Sequence, residues 1–427
     1  MSSKASIINN TEAQSIATEW RPVRLGDLIK IKHGFPFEGK YFSDSPTNYI
    51  LLTPGNFSIG GGFSSSKFKY YNGNVSNDYV LKERDLVVTM TDLSKAGDTL
   101  GYSALIPKID GKSVLHNQRI GLVVFKSKDI IPDYLYWKMR NYDYRSWILG
   151  SATGTTVKHT SPLRIEDFEF LLPNTKEQER IAEILSSLDD KIELNRQINA
   201  NLEKLASALF KHWFVDFEFP DNNGKPYKSS GGKMVDSELG EIPVGWKAGK
   251  LGEEFEIIMG QSPSGETYNE NEEGLPFYQG RTDFGFRFPS RRIYCTEPKR
   301  KAKSLDTLIS VRAPVGDINM AYEECCIGRG VGAIRKDSFP SYTYHTVKSL
   351  QKLISRYDDE GTVFGSINKE SLANIACLIP PETVIIEFEK NAGDIDKQIF
   401  NLTEENERLI KIRDSLLPRL MSGKIRV

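Results

Sequence analysis

Two regions of the chain carry apolar residues at steps that alternate between three and four. In the first, Ile181, Leu185, Leu188, Ile192, Asn195, Asn199, Leu202, Ala206, Leu209 and Trp213 line one stripe. In the second the stripe runs through Phe388, Ala392, Ile395, Ile399, Leu402, Asn406, Leu409, Arg413, Leu416 and Leu420. A heptad seam held for several turns is the signature of helices packed along their length. It predicts one long helix in residues 174–216 and another in 381–427. Asn174 followed by Glu177 makes a capping box for the first. Pro380-Pro381 opens the second, where missing N–H groups cost nothing. One such helix alone would read as a core helix, but two at matched positions are expected to pair with each other, antiparallel. Asn199 and Asn406 sit at equivalent seam positions, and a buried Asn there fixes register at some cost in stability; the alternative is that both face solvent.

The helices belong to a longer repeat. GTTVKHTSPLRIEDFEFLLP from Gly154 overlays GTVFGSINKESLANIACLIP from Gly361 without a gap, and the match continues through both helices. Trp20-Arg-Pro-Val-Arg-Leu25-Gly26-Asp27, followed by Gly34, matches Trp246-Lys-Ala-Gly-Lys-Leu251-Gly252-Glu253, followed by Gly260. Between these segments lie short strand-like runs, YVLKERDLVVTM, QRIGLVVF, DTLISVRAP and RGVGAIR, punctuated by Gly, Pro, Asn and Ser. The expected organisation is an arm at 1–19, a head at 20–173, a helix at 174–216, a polar linker at 217–244, a second head at 245–380 and a helix at 381–427. The fold class is α+β: two mixed, mainly β globular heads separated by two long antiparallel helices forming a coiled coil, with an internal pseudo-twofold repeat. About 39 helical residues would make a rod of about 58 Å.

Composition narrows the class. At 427 residues the chain holds two or more domains, and no apolar run approaches the roughly 20 residues that span a bilayer. The first residues lack the apolar stretch of a signal peptide. Cys295, Cys325, Cys326 and Cys377 form no CxxC pair; adjacent Cys325 and Cys326 would face opposite sides of a strand, so they read as reduced thiols of a cytoplasmic protein. The formal net charge of -1 conceals an uneven distribution. Residues 21–172 hold 20 basic against 15 acidic side chains, and Arg281–Lys303 hold 8 against 2, so positive charge gathers outside the helices.

QERIAEILSSLDDKIELNRQINANLEKLASALFKHWFVDF, GEIPVGWK, LPFYQGRTDFGF, LISVRAPVGDIN and CCIGRGVGAI together resemble specificity subunits of type I restriction–modification systems, from about Trp20 to the C-terminus. The resemblance implies two target recognition domains, each reading half of a split double-stranded DNA sequence. It implies that the coiled coil sets the spacer and docks two methyltransferase subunits, to which two restriction subunits add. S-adenosylmethionine, ATP and Mg2+ are then expected in those partners, with no cofactor bound by this chain. The first head lacks RAPVGD and CIGRGVG, and its counterparts MTDLSKAGD and LHNQRIGLV are looser.

No catalytic apparatus is legible. There is no phosphate-binding Gly-rich loop with Lys-Ser/Thr, the five histidines show no metal spacing, and Gly328-Arg-Gly-Val-Gly332 lacks a cofactor context. Base readout needs side chains offering two hydrogen bonds in fixed geometry. In the first head these are His116-Asn117-Gln118-Arg119 and the loop Thr155, Thr156, Val157, Lys158, His159. In the second they are Gln279, Arg281, Arg312, Arg329 and the loop Thr362 to Ser366. Singly each has a local explanation: Arg312 pairing with Asp317, or Arg329 satisfying carbonyls in a tight turn. Arg291-Arg292 with Lys299-Arg300-Lys301 suits phosphates better than bases, unless it is only a solvated face. The seam residues Leu185, Leu188, Ile192, Asn199, Leu202 and Leu209, with Ile395, Ile399, Leu402, Asn406, Leu409 and Leu416, form the expected helix and partner interface. The competing reading is a coiled-coil scaffold whose heads bind protein without reading DNA.

Overall fold

The structure, a computed structural model, describes residues 20–358 and 365–427. It divides into two compact units, one ending at Leu194 and including Glu405–Val427, the other spanning Asn195–Glu404.

In the first unit, four antiparallel strands, β1 (Ile29–His33), β2 (Leu86–Thr89), β3 (Ser103–Leu105) and β4 (Ile120–Phe125), lie in the order β1-β4-β2-β3. Ile29 and Ile31 are buried while Lys30 and Lys32 are exposed, the period-two alternation of a half-buried strand. A second sheet runs in the order Phe42–Ser43, Lys69–Tyr71, Tyr49–Leu51, Ser113–Leu115, Val80–Leu81, with a parallel pairing of 49–51 on 113–115. The helix α1 (Pro132–Lys138) packs Tyr134, Leu135 and Trp137 into the core with Leu25, Ile29 and Ile31.

The second unit repeats this plan. Strands β5 (Glu256–Met259), β6 (Thr307–Ser310), β7 (Ile318–Met320) and β8 (Val331–Arg335) lie in the order β5-β8-β6-β7. The accompanying sheet runs Tyr268–Asn269, Tyr294–Cys295, Leu275–Tyr278, Cys325–Ile327, Lys301–Ala302, again with a parallel pairing between its third and fourth strands. Sequence reading saw the heads diverge between their shared ends; the strand order shows that their divergent middles share one topology. Cys325 and Cys326 do face two different apolar clusters, and all four cysteines are buried and free.

The long helices are α2 (Thr175–Phe214) and α4 (Glu382–Met421), of 40 residues each; between them in sequence lies α3 (Pro340–Ser349). In the first unit Arg413 pairs with Asp189, and Asn406 Nδ2 donates to the Ile192 carbonyl at 3.3 Å. In the second, Asn199 Nδ2 donates to Thr403 Oγ1 at 3.4 Å and the ring centroids of Phe210 and Phe388 lie 5.8 Å apart. Within each unit the two helices are therefore antiparallel. The seam is the buried face: Leu185, Ile192, Asn199, Ile399 and Asn406 are buried, and Leu188, Leu202, Leu209, Ile395, Leu402, Leu409 and Leu416 are half-buried. Asn199 and Asn406 do not face solvent.

The strand before each helix explains the other half of the repeat. Arg21–Arg24 pairs antiparallel with Glu169–Leu172, and Lys247–Lys250 with Ala376–Ile379. The Trp-led segment that opens each half thus locks onto the strand that feeds its helix, and Leu25 and Leu251 are fully buried behind it.

Two expectations change. Asn174 Oδ1 accepts from the Glu177 amide at 3.0 Å, but the Glu177 carboxylate does not close a capping box. It accepts from Trp20 Nε1 at 2.9 Å and from Arg426 at 2.6 Å, because tertiary partners are closer to hand than the helix's own start. Residues 217–244, expected as a linker, fold. Met234–Ser237 and Gly240–Pro243 form a hairpin, and Phe217 and Phe219 are buried with ring centroids 5.4 Å from Trp246. The aromatics in FEFP outweigh the polar composition around them.

Each head is also bolted to its own stretch of helix by a buried arginine. Arg140 stacks on Trp137 at 4.2 Å and reaches Asp189 at 3.3 Å. Arg287, 2% exposed, stacks on Tyr344 at 3.9 Å and reaches Asp396 at 2.9 Å; it also pairs with Glu203, which pairs in turn with Lys348. Removing one partner of a buried charge cluster leaves the other charges desolvated and unpaired. Glu203→Ala is therefore expected to destabilise the second unit by roughly 3 kcal/mol, read as faster hydrogen exchange across the amides of α3.

Candidate nucleic-acid interface

At one end of each four-stranded sheet three segments converge. In the first unit they are the turn entering β4 (117–119), the loop leaving β2 (91–100) and the hairpin 153–159. Met90 N donates to the Arg119 carbonyl at 2.9 Å, and Thr160 N to the Met90 carbonyl at 3.0 Å. Thr91 and Asp92 pair antiparallel with His159 and Lys158. The turn is closed from below by Phe35 N on the His116 carbonyl at 2.8 Å. A Cβ on Gly34 would lie 2.3 Å from the Asn117 carbonyl oxygen, so only glycine lets these backbones approach.

The polar side chains there divide by role. Asn117 is buried, and its Oδ1 accepts from the Arg119 amide at 3.1 Å, shaping the turn. His116 is buried with Nε2 2.9 Å from the Ile120 carbonyl; burial pushes its pKa down to about 4, so the ring is neutral and donates. Gln118 and Arg119 are exposed, and no side-chain partner engages either among the described residues. Thr155 and Thr156 are exposed at the hairpin tip, Lys158 is half-buried, and the exposed His159 places Nδ1 3.2 Å from Thr91 Oγ1. Asp92 organises the 91–100 loop, accepting from the Ser94 amide at 2.6 Å and Thr99 Oγ1 at 2.8 Å. Burial alone would raise the Asp92 pKa, but its hydrogen bonds from Ser94 and Thr99 hold the carboxyl below its usual range.

The second unit builds the same junction. Val311 N donates to the Gly330 carbonyl at 2.9 Å, Ile367 N to the Val311 carbonyl at 3.0 Å and Gln261 N to the Ile327 carbonyl at 2.9 Å. Arg312 bridges Ser366 as Thr91 bridges His159. A Cβ on Gly260 would lie 2.2 Å from the Gly328 carbonyl oxygen, matching Gly34. The loops after β2 and β6 differ in length. Gly101 N donates to the Thr89 carbonyl at 3.0 Å and Gly316 N to the Ser310 carbonyl at 2.9 Å, so Gly101 is the counterpart of Gly316. The sequence match of MTDLSKAGD to RAPVGD puts Gly97 there instead, because the loop of the first head carries extra residues between Thr89 and Gly101.

Arginines in this head also separate. Asp317 pairs with Arg281, not with Arg312 as the sequence suggested, because the loop turns Asp317 toward the 281–283 turn. Arg291 pairs with Glu323, Arg292 with Asp283 at 2.8 Å and Lys301 with Glu324 at 2.9 Å. The basic stretch is thus substantially neutralised, by Asp283 within it and by Asp317, Glu323 and Glu324 from beyond it, which a local charge count misses. Arg312 and Arg329 are exposed and hold no carboxylate among the described residues. Gln279 is exposed beside the turn, with Nε2 3.4 Å from Tyr268 Oη. Ser366 is exposed, while Thr362 lies outside the described residues. Sequence reading missed Arg140 and Arg287, which belong to no motif and acquire a role only through tertiary neighbours, and it left Asp92 without a role although MTDLSKAGD contains it. Among the described residues no cluster of His, Cys, Asp and Glu is placed to hold a metal, and no helix is long and apolar enough to cross a membrane.

Two heads of one topology, each presenting exposed polar side chains at a sheet end and each fixed to a long helix, define a two-headed protein of the recognition class rather than one built around a catalytic pocket. The chain belongs to the type I restriction modification DNA specificity family, whose domain model matches residues 17–204 and 243–411. It is 33% identical over 321 residues to a candidate specificity subunit of the type I restriction enzyme MjaX of Methanocaldococcus jannaschii, covering 74% of this chain and 73% of that protein. It is 26% identical to the HindI specificity subunit of Haemophilus influenzae, across 96% of this chain and 100% of the other. The crystal structure of a type I restriction-modification S subunit from M. genitalium shares the fold, with a TM-score of 0.59 at 18% identity over 99% of both chains. The heads are accordingly DNA-recognition domains, and the chain is a specificity component rather than a catalytic one.

The neutral His116 gives the first junction a pH dependence. Its folded pKa lies below the unfolded value near 6.5, so its contribution is intact above that value and falls as pH drops toward 4. Between pH 7 and 5 the native protein is expected to lose about 2 kcal/mol that His116→Gln does not lose. Hydrogen exchange of the β4 amides at the two pH values measures the difference; equal losses would contradict the buried neutral ring.

Proposed function

We propose that each head reads one half of a bipartite double-stranded DNA sequence and that α2 and α4 set the spacing between the halves. The same helices dock two methyltransferase subunits that methylate adenine at N6, and two restriction subunits join them. S-adenosylmethionine, ATP and Mg2+ act in those partners, this chain carries no cofactor, and the assembly works in the cytoplasm. The observation that carries this reading is the repeated junction: one backbone frame, held by matching hydrogen bonds, with different free side chains in each copy.

In the first head Gln118, Arg119, Thr155, Thr156, Lys158 and His159 face the DNA, with Asn117 shaping the turn beneath them. In the second, Gln279, Arg312, Arg329 and Ser366 do so. Arg281, Arg291 and Arg292, held by carboxylates, are assigned to the phosphate-facing rim, where position matters more than free hydrogen-bonding capacity. The exposed side chains of Gln118, Arg119, Arg312 and Arg329, which hold no carboxylate among the described residues, support this division, since a guanidinium already committed to a carboxylate has fewer donors left for a base edge.

Sequencing modified adenines in cells that hold this chain and its partner subunits should reveal one split motif. DNA binding by the assembled complex should weaken steeply with salt as phosphate contacts release counterions. A protein-binding scaffold would show neither the motif nor the salt slope. Spacing is tested separately. Asn199 and Thr403 face each other, so an insertion in one helix alone would break register. Matched four-residue insertions beside both add about one helical turn and should lengthen the unread spacer while leaving both half-sites intact. A changed half-site at constant spacing would refute the helices' role as a ruler.

A further inference from the structure

Gln118 and Arg329 occupy one position in two copies of the same turn. Four backbone contacts establish the register. Ile120 N donates to the Asn117 carbonyl at 3.0 Å, as Val331 N does to the Gly328 carbonyl at 3.0 Å. The carbonyl one residue beyond each side chain, of Arg119 or Gly330, accepts from Met90 or Val311. The carbonyl two residues before it, of His116 or Ile327, accepts from Phe35 or Gln261. Gly34 and Gly260 press against Asn117 and Gly328 from the same side. Both side chains are exposed, and neither is engaged among the described residues.

The neighbouring positions do not match in this way. Arg119 is opposite Gly330, which has no side chain. Arg312 is opposite Thr91, which is buried with its hydroxyl 3.2 Å from His159 Nδ1. At this junction the turn tip is the place where both heads offer a free, two-donor or donor-and-acceptor side chain on an identical mount. Glutamine is shaped to meet adenine N6 and N7 in the major groove, and arginine to meet guanine O6 and N7.

We propose that this turn tip is a common reading position: Gln118 selects an A·T pair in one half-site, and Arg329 selects a G·C pair in the other. The inference rests on the proposal that the heads read DNA half-sites, and it adds which residue reads which base. At this one position the two half-sites then differ through the residue mounted on a matching backbone turn, while the other DNA-facing side chains of each head read their own positions.

The test uses the chain assembled with its methyltransferase subunits to select duplexes from a pool randomised in both half-sites. The native complex should select one split motif. Gln118→Arg should change one A·T to G·C in one half-site and nothing in the other, and Arg329→Gln should make the opposite change in the other half-site. Gln118→Ala should relax that one position roughly tenfold or more. An unchanged motif in all three variants overturns the inference, as do changes spread over both half-sites by one substitution. If Gln118→Arg selects nothing, Gln118→Ala decides: relaxation at one pair upholds the assignment, and an unaltered motif overturns it. A native complex with no sequence preference defeats the half-site reading itself. A native split motif untouched by the variants defeats only the assignment of Gln118 and Arg329.

Discussion

Everything a head can present depends on how it is held to its helix, and that hold is a buried guanidinium on a carboxylate. Asp189 and Asp396 are equivalent residues of the repeat, one in each long helix. Asp189 receives Arg140 in the first unit and Asp396 receives Arg287 in the second. In each case the arginine also lies over an aromatic ring of the helix that follows the sheet, Tyr136 and Trp137 for Arg140 and Tyr344 for Arg287. Such a pair contributes little net stability once its desolvation is counted, but it accepts few alternative geometries. A planar guanidinium, stacked on one side and forked toward a carboxylate on another, fixes rotation as well as distance. That is what the proposed reading of base edges would need, since hydrogen bonding to a base edge is sensitive to small displacements.

The second constraint is covalent order turned into contact. Each half of the chain begins with a strand that pairs with the strand entering its long helix, so a head is closed at its base before its middle is specified. Loops between those fixed ends can lengthen without disturbing the frame, because surface loops tolerate insertion at small entropic cost. The longer excursion between Thr89 and Gly101, set against Ser310 to Gly316, is such a case. Asp92 stabilises the longer version by gathering the amides of Ser94 and Thr99, whereas in the shorter loop the Ser310 hydroxyl donates to the Pro314 carbonyl and accepts from the Asp317 amide.

The helices, their seam and the ends of each head were legible in the sequence because heptad periodicity and local turn chemistry are local signals. The seam residues from Leu185 to Leu209 and from Ile395 to Leu416 fall on the buried face as the spacing requires. The linker was not legible, because polar composition over 217–244 conceals the few aromatics that anchor it to Trp246. The junction was half legible. His116-Asn117-Gln118-Arg119 could be found as a polar cluster, but that Asn117 and His116 serve the turn while Gln118 stands free depends on which backbone groups lie beneath. The carboxylate partners of Arg281 and Arg291, Asp317 and Glu323, lie more than thirty residues away in sequence, and no local pattern announces them.

That sorting of arginines is the step from composition to recognition. A count of basic residues in the second head treats Arg291 and Arg329 alike, yet Arg291 lies over the Tyr322 ring and pairs with Glu323, whereas Arg329 stands exposed on a turn tip. A paired arginine still contributes to the long-range field that draws a polyanion, but its donors are partly spent. A free one on a rigid mount keeps its fork open for a planar acceptor pair. The rigidity comes from below, from Gly260 admitting the Gly328 carbonyl and from the Ser262 hydroxyl 3.2 Å from the Arg329 amide. On the proposed reading, specificity asks two things of the same residue: a backbone amide and flanking carbonyls held by neighbours, and a side chain left open for DNA.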